Sequence, residues 1–107
     1  MSILVAASNS KVYGNNYSKV FEAVKNSLKD CNFKLKEEDK EKGEIRASTS
    51  MSIMSWGESI HISIAKVSEN KTKVSIYSKV RFQVLSWGKN EENISQLFTA
   101  LDKRLSK

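Results

Sequence analysis

Residues Ser59-Ile60-His61-Ile62-Ser63-Ile64 alternate apolar with polar side chains, and so, after the turn Ser68-Glu69-Asn70-Lys71, does the run Val74-Ser75-Ile76-Tyr77-Ser78-Lys79-Val80-Arg81-Phe82-Gln83-Val84. A period of two marks a β-strand with one dry side and one wet side. The short polar connection makes an antiparallel hairpin the natural pairing. Upstream of this hairpin the same rhythm holds. Ile45, Ala47, Thr49, Met51 and Ile53 share one side, and Glu44, Arg46, Ser48, Ser50 and Ser52 the other. Earlier still, Phe33 and Leu35 alternate with Lys34 and Lys36, and the charge run from Glu37 to Gly43 reads as an exposed turn.

Two segments have a different period. Val20, Ala23, Val24, Ser27, Leu28 and Cys31 recur at steps of three and four, with Phe21 on the border, which is the stripe of an amphipathic helix. Asn16 or Ser18 offers a side-chain oxygen to its first free N–H groups. Ile94, Leu97, Phe98, Leu101 and Leu105 form a second stripe after Asn90. Glu91 and Glu92 in its first turn, and Lys103, Arg104 and Lys107 in its last, complement the helix dipole. Residues 2–8 read as a strand, and the polar stretch from Asn9 to Asn16 as a loop. The expected order is βαββββα. Two amphipathic helices need one apolar sheet face, so both are placed on the same side. The reading is an α+β two-layer sandwich of the helix-grip type, one domain over residues 1–107, built on an antiparallel sheet.

The chain carries 107 residues with a net charge of +6, and contains no proline. Fifteen lysines against three arginines look like a solubilised surface more than a dedicated nucleic-acid reader. One cysteine, Cys31, excludes an intramolecular disulfide and any cysteine-based metal cluster, and suits a reducing compartment. The opening Met1–Ser8 is too short and uncharged for a signal peptide, and nothing approaches a membrane span. A chain that begins at its native start is expected in the cytoplasm; a trimmed leader stays open.

Both tryptophans sit in the same tripeptide, Ser55-Trp56-Gly57 and Ser86-Trp87-Gly88, and each copy is followed by a charge, Glu58 or Lys89. With strands running up, down and up, both copies fall at one end of the sheet. Gly57 and Gly88 supply the backbone freedom of tight turns, and Glu58 and Lys89 can pair across them. Ordinary packing has the indoles capping the open end of the core. The functional alternative makes Met51, Ile53, Met54, Trp56, Leu85 and Trp87 an apolar rim for a hydrophobic small molecule, a protein partner or a second copy in a homodimer.

No catalytic constellation is visible. His61 is the only histidine, so no histidine-rich metal site exists. The expected hairpin puts it on the wet face near Lys79 and Ser50 or Ser52, with no acidic partner. Cys31 lies on an apolar stripe, where a thiol is filler. Tyr13-Gly14-Asn15-Asn16 lacks the glycine spacing and lysine of a phosphate loop. Neither metal nor cofactor is expected. The remaining signal is a basic sheet face of Lys34, Lys36, Arg46, His61, Tyr77, Lys79 and Arg81, able in principle to meet a phosphate backbone. Only Tyr77 could stack a base there, and single-strand platforms use two or three aromatics.

The run Ser55-Trp56-Gly57-Glu58 and then Trp87-Gly88-Lys89-Asn90, followed by Asn93-Ile94, resembles a pattern of small uncharacterised prokaryotic α+β domains. More loosely it resembles helix-grip domains of bacterial lipoproteins. The likeness spans about Ser8 to Leu105 and implies the fold; its motifs look structural and bring no activity with them. Lipoprotein relatives would carry a lipidated N-terminal cysteine, which this chain lacks. The expectation is a non-enzymatic binding or assembly module acting at the Trp56/Trp87 end, with nucleic-acid or polyanion binding by the basic face as the alternative.

Overall fold

The computed structural model describes residues 5–49, 58–80 and 89–105. Its elements are β1 (Val5–Tyr13), α1 (Tyr17–Asp30), β2 (Lys34–Asp39), β3 (Glu44–Ser48), β4 (Glu58–Ser68), β5 (Lys71–Val80) and α2 (Lys89–Leu105). The expected order βαββββα is observed, in one five-stranded antiparallel sheet with the spatial order β1-β5-β4-β3-β2. The strand residues expected beyond Thr49 and Val80 lie outside the described residues.

The alternation does what its period demands. Ile60, Ile62 and Ile64 of β4, Val74 and Ile76 of β5, and Ile45 and Ala47 of β3 turn inward and are buried. They meet Val20, Phe21, Val24 and Leu28 of α1 and Leu97, Phe98 and Leu101 of α2 in one core, so both helices cover the same sheet face. Burying a large apolar side chain of this kind contributes roughly 1.5–3 kcal/mol. Glu69-Asn70 turns the β4–β5 hairpin, and a register shift between Lys66 and Ser68 leaves Val67 exposed.

Two expectations are corrected. The polar stretch after Ser8 is not a loop: β1 continues to Tyr13 and pairs with β5 along its whole length, from Val5↔Val80 to Tyr13↔Thr72. The ladder of backbone hydrogen bonds overrides the weak strand propensity of Ser-Asn-Ser. As a result β5 is interior, not an edge, and the edges are β1 and β2. The charge run is not all turn either, since Glu37, Glu38 and Asp39 belong to β2 and only Lys40–Gly43 turn. Charged residues and a register shift between Leu35 and Glu37 are fitting features for an edge strand, because both discourage pairing with another chain.

The helix α1 has well-made ends. The Asn16 side chain, rather than Ser18, accepts the Lys19 N–H at 2.8 Å. At the other end Asn32 adopts φ 60°, with the Asn32 N–H donating to Lys29 O at 3.0 Å and the Phe33 N–H to Leu28 O at 2.9 Å. This is a Schellman motif with asparagine in the left-handed position. It turns the chain back into β2 and seats Phe33 against the core.

Gly43 fixes the β2–β3 turn against β4. Its φ is +69°, its carbonyl accepts the Ile64 N–H at 2.7 Å, and a Cβ there would collide with the Ile64 carbonyl oxygen and the Tyr17 hydroxyl. Tyr17 in turn donates to Lys40 O at 2.6 Å. Gly43→Ala is therefore expected to cost at least about 2 kcal/mol, from left-handed backbone strain plus the collision. Gly14, with open space around its Cβ position, is the control: Gly14→Ala should be neutral or stabilising by up to about 1 kcal/mol. Urea denaturation midpoints of the two variants read the contrast directly.

Candidate functional site

The rim residues Met51, Ile53, Met54, Trp56, Leu85 and Trp87, together with Gly57, Gly88 and Arg81, lie outside the described residues. Glu58, Lys79 and Lys89 are described as backbone positions. The flanks of the two tryptophan segments are well placed, however. Ser48 pairs with Ser59, Ser59 with Lys79, and Val80 with both Glu58 and Val5. The segment joining β3 to β4 and the segment after β5 therefore depart from the same end of the sheet. α2 starts at that end as well. Ile94 and Ser95 lie beside Ser8, whereas Asp102 reaches Lys11 farther along β1, so α2 runs alongside β1 in the same direction.

The sheet face beneath the helices tapers toward this end. Directly opposed residues share a face, so the inward row nearest the end reads Ser78, Ile60, Ala47, with Ala7 as the β1 position paired to Ser78. The next row carries Ile76, Ile62 and Ile45, and the one after it Val74 and Ile64. Buried polar side chains also collect here: Thr49 comes directly after β3, Ser78 is on β5, and Asn93 is in the second turn of α2.

The opposite, solvent-facing side of the sheet differs from the expected basic face. His61 stands across from Arg46 and Tyr77, not across from Ser50 or Ser52, with Lys79 one step along on β5. The imidazole meets the Tyr77 ring edge-on, centroids 6.4 Å apart at 74°. The register shift in β2 brings Glu37, rather than Lys36, opposite Arg46, and their charged atoms are 3.7 Å apart. Lys34 sits opposite Ser48. Glu44 lies on the same side as Arg46 in the next row, opposite Ser63. Two carboxylates thus flank the one described arginine of this face. Across β1, β5, β4 and β3 the twist leaves an open concavity of about 560 Å³.

A third feature joins β1 to α2. The Lys11 ammonium contacts both oxygens of Asp102, at 2.8 and 3.0 Å, and the Tyr13 hydroxyl donates to Asp102 Oδ1 at 2.7 Å. The ammonium also lies 5.7 Å from the centre of the Phe98 ring. Burial, the hydrogen bond and the Asp102 charge together push the Tyr13 phenol far above its usual range. For Asp102, burial alone would raise the carboxyl; the hydrogen bonds from Lys11 and Tyr13 and the Lys11 charge outweigh it and hold the group below its usual range. Cys31 is half-buried, and burial, then Asp30, raises its thiol. That disfavours the thiolate, as expected of a filler cysteine.

Residues 5–81 match the family described as "Protein of unknown function (DUF3568)". The chain belongs to this family. No curated protein matches it. Solved structures share its fold at low identity. A START superfamily protein from Mycobacterium smegmatis superimposes with a TM-score of 0.70 at 9% identity, covering 94% of this chain and 97% of that one. Ara h 8.0201 gives 0.69 at 10% identity, with 98% and 100% covered. The di-domain ARO/CYC BexL from the BE-7585A biosynthetic pathway gives 0.72 at 13% identity, with 95% of this chain matching 46% of that one. The DUF3568 chain therefore has a START-like, helix-grip fold.

Among the described residues no cluster of His, Cys, Asp or Glu is arranged to hold a metal, and no helix is long and apolar enough to cross a membrane. The Lys11–Asp102–Tyr13 cluster is invisible to a reading of the sequence because Lys11 and Tyr13 fall in a stretch with the composition of a loop. Its one signal is Asp102 interrupting a helical face between Phe98 and Leu105.

Asp102→Asn should destabilise the protein at neutral pH and flatten its acid unfolding profile. A carboxyl held low in the folded state stabilises above the ordinary aspartate range near ~3.9 and loses that contribution as pH falls through its folded value. The same variant should return the Tyr13 phenol toward ordinary titration, read by ultraviolet absorbance at alkaline pH. Cys31 should react with thiol reagents more slowly in the folded protein at pH 8 than in denaturant.

Proposed function

We propose that this protein is a non-enzymatic ligand-binding module that admits a hydrophobic small molecule at the Trp56/Trp87 end of its helix–sheet layer. The observation that carries this reading is the inward row Ser78, Ile60, Ala47, two of its three side chains small, at the end from which both tryptophan-bearing segments depart. The small Ser78 and Ala47 leave part of the layer to be completed by other groups. In this reading Met51, Ile53, Met54, Trp56, Leu85 and Trp87 supply an apolar rim that closes over the bound molecule. Thr49, Ser78 and Asn93 give that end a few polar groups to orient it.

The structural likenesses support the same use of the fold, since one relative belongs to the START superfamily and another is an ARO/CYC from a biosynthetic pathway. Binding without chemistry is favoured here because His61 stands on the solvent side of the sheet, across from Arg46 and Tyr77 and away from the helix layer. The flanking of Arg46 by Glu37 and Glu44 speaks against a phosphate-backbone surface.

Tryptophan emission tests the proposal. Titration with oleate, a lysophospholipid and a non-ionic detergent should give a saturable blue shift or quench with at least one of them. Trp56→Phe and Trp87→Phe should each remove part of the response. Unchanged emission across the whole series, with both indoles shielded from acrylamide, would overturn it. A shift that tracks protein concentration instead of ligand would assign the rim to a second copy of the chain.

A further inference from the structure

The solvent-facing concavity of the sheet is a separate site from the helix-covered end, and we propose that it binds an uncharged sugar ring. Its lining falls into two adjacent rows. One runs Ser8, Tyr77, His61, Arg46 across β1, β5, β4 and β3; the next runs Ser10, Ser75, Ser63, Glu44. Together they enclose about 560 Å³ open to solvent, enough for one or two hexose units on the usual scale of ligand pockets.

The chemistry of these rows selects the ligand. Tyr77 is 36% exposed in the middle of the face, and His61 packs edge-on against it at 6.4 Å. A partly exposed ring offers an apolar platform that keeps a polar tip. The C–H face of a pyranose fits that platform. Ser63 and Ser75 face each other across β4 and β5 and line the concavity. A serine hydroxyl can both donate to and accept from a ligand hydroxyl. At the β3 end, Arg46 supplies donors and Glu44 acceptors within one patch, a mixture that suits vicinal hydroxyls, which do both.

Charge excludes the main competitors. An anion would gain from Arg46, yet Glu37 stands opposite it with their charged atoms 3.7 Å apart, and Glu44 shares its face. The balance around the arginine is neutral or slightly acidic at pH 7, so phosphate or carboxylate meets as much repulsion as attraction. An apolar ligand would have to desolvate serines and charged groups without replacing their hydrogen bonds. A neutral polyhydroxylated ring avoids both costs. The site is shallow, so the expected dissociation constants are in the millimolar range, about 4 kcal/mol of binding.

Backbone amide shifts in a ¹H–¹⁵N correlation spectrum test this on the whole chain. Maltotriose and N,N′-diacetylchitobiose should each be titrated to 20 mM, with inorganic phosphate as the charged comparison. The expected result is saturable shifts for at least one sugar, confined to β3, β4, β5 and β1 around His61, Ser63, Ser75 and Tyr77. They should be unchanged by added salt, and phosphate should give none there. Tyr77→Ala should weaken the response tenfold or more and Tyr77→Phe should keep it, the unperturbed remainder of each spectrum confirming the fold. No sugar response by 20 mM would overturn the proposal, as would a phosphate response at these residues without a sugar response. Neither outcome bears on the proposed function, which concerns the helix-covered face of the sheet.

Discussion

Strand β5 gives both of its edges to the fold. Val5–Tyr13 zips onto one side and Glu58–Ser68 onto the other, and the rest of the architecture depends on the first of these ladders. It joins the start of the described chain to its last strand, the pairing that costs the most loop-closure entropy and comes with the least local help. Once β1 is in place, α1 must begin at the far end of β1, where Thr72 Oγ1 donates to Asn15 O at 2.8 Å. The chain then has to return to the opposite edge of the sheet to lay down β2. The last helix, α2, must cross back from the end of β5 beneath β5 and β1. Asp102 receives Lys11 and Tyr13 there, so α2 holds the first strand against the sheet. Arg104 adds a two-pronged contact to Asp30, at 2.7 and 2.8 Å, which ties the end of α2 to the end of α1.

The parts of this plan legible in sequence are the ones where burial alone sets the pattern. Ile60, Ile62, Ile64, Val74 and Ile76 alternate cleanly because one side of β4 and β5 is dry and the other wet. The helical stripes read just as directly. The full length of β1 is illegible because its inward positions, opposite Ile76 and Val74, are Asn9 and Lys11, while the apolar Val12 points out and is 57% exposed. A strand beside a helix can bury a lysine stem and satisfy the ammonium on that helix, and no one-dimensional pattern records such a partner. In β2 a single irregularity between Leu35 and Glu37 changes which charge faces Arg46. A shift of one residue reverses the facing of every later position in the strand, so a face that looks basic in sequence is balanced in space. Strand direction alone leads one to expect both Ser-Trp-Gly segments at one end of the sheet, and the described residues that flank them do share one end.

The net charge of +6 illustrates the same distinction between composition and placement. Lys11 is engaged by Asp102, Lys25 by Glu22 and Glu38, Arg104 by Asp30, and Arg46 faces Glu37. Four described cations thus sit beside carboxylates that the fold brings from other elements. A net positive charge favours solubility whether or not it forms a directed field.

Identities of 9 to 13% alongside TM-scores near 0.7 show how little of the sequence this architecture requires. Most inward positions ask only for an apolar side chain of suitable bulk, which many residues satisfy. Gly43 and Asn32 ask for more, since each holds a left-handed backbone at the end of an element. Constraints of that kind are about shape, and they leave chemistry unspecified. Chemistry has to come from positions that shape does not dictate, and the two proposals place it in the solvent row through Tyr77 and His61 and in the segments between β3 and β4 and between β5 and α2. At the end where those two segments leave, the sheet contributes only alanine and serine beside Ile60, so part of the packing there comes from outside the sheet. In the proposed reading the tryptophans and a ligand share that role, and indole emission would then report occupancy.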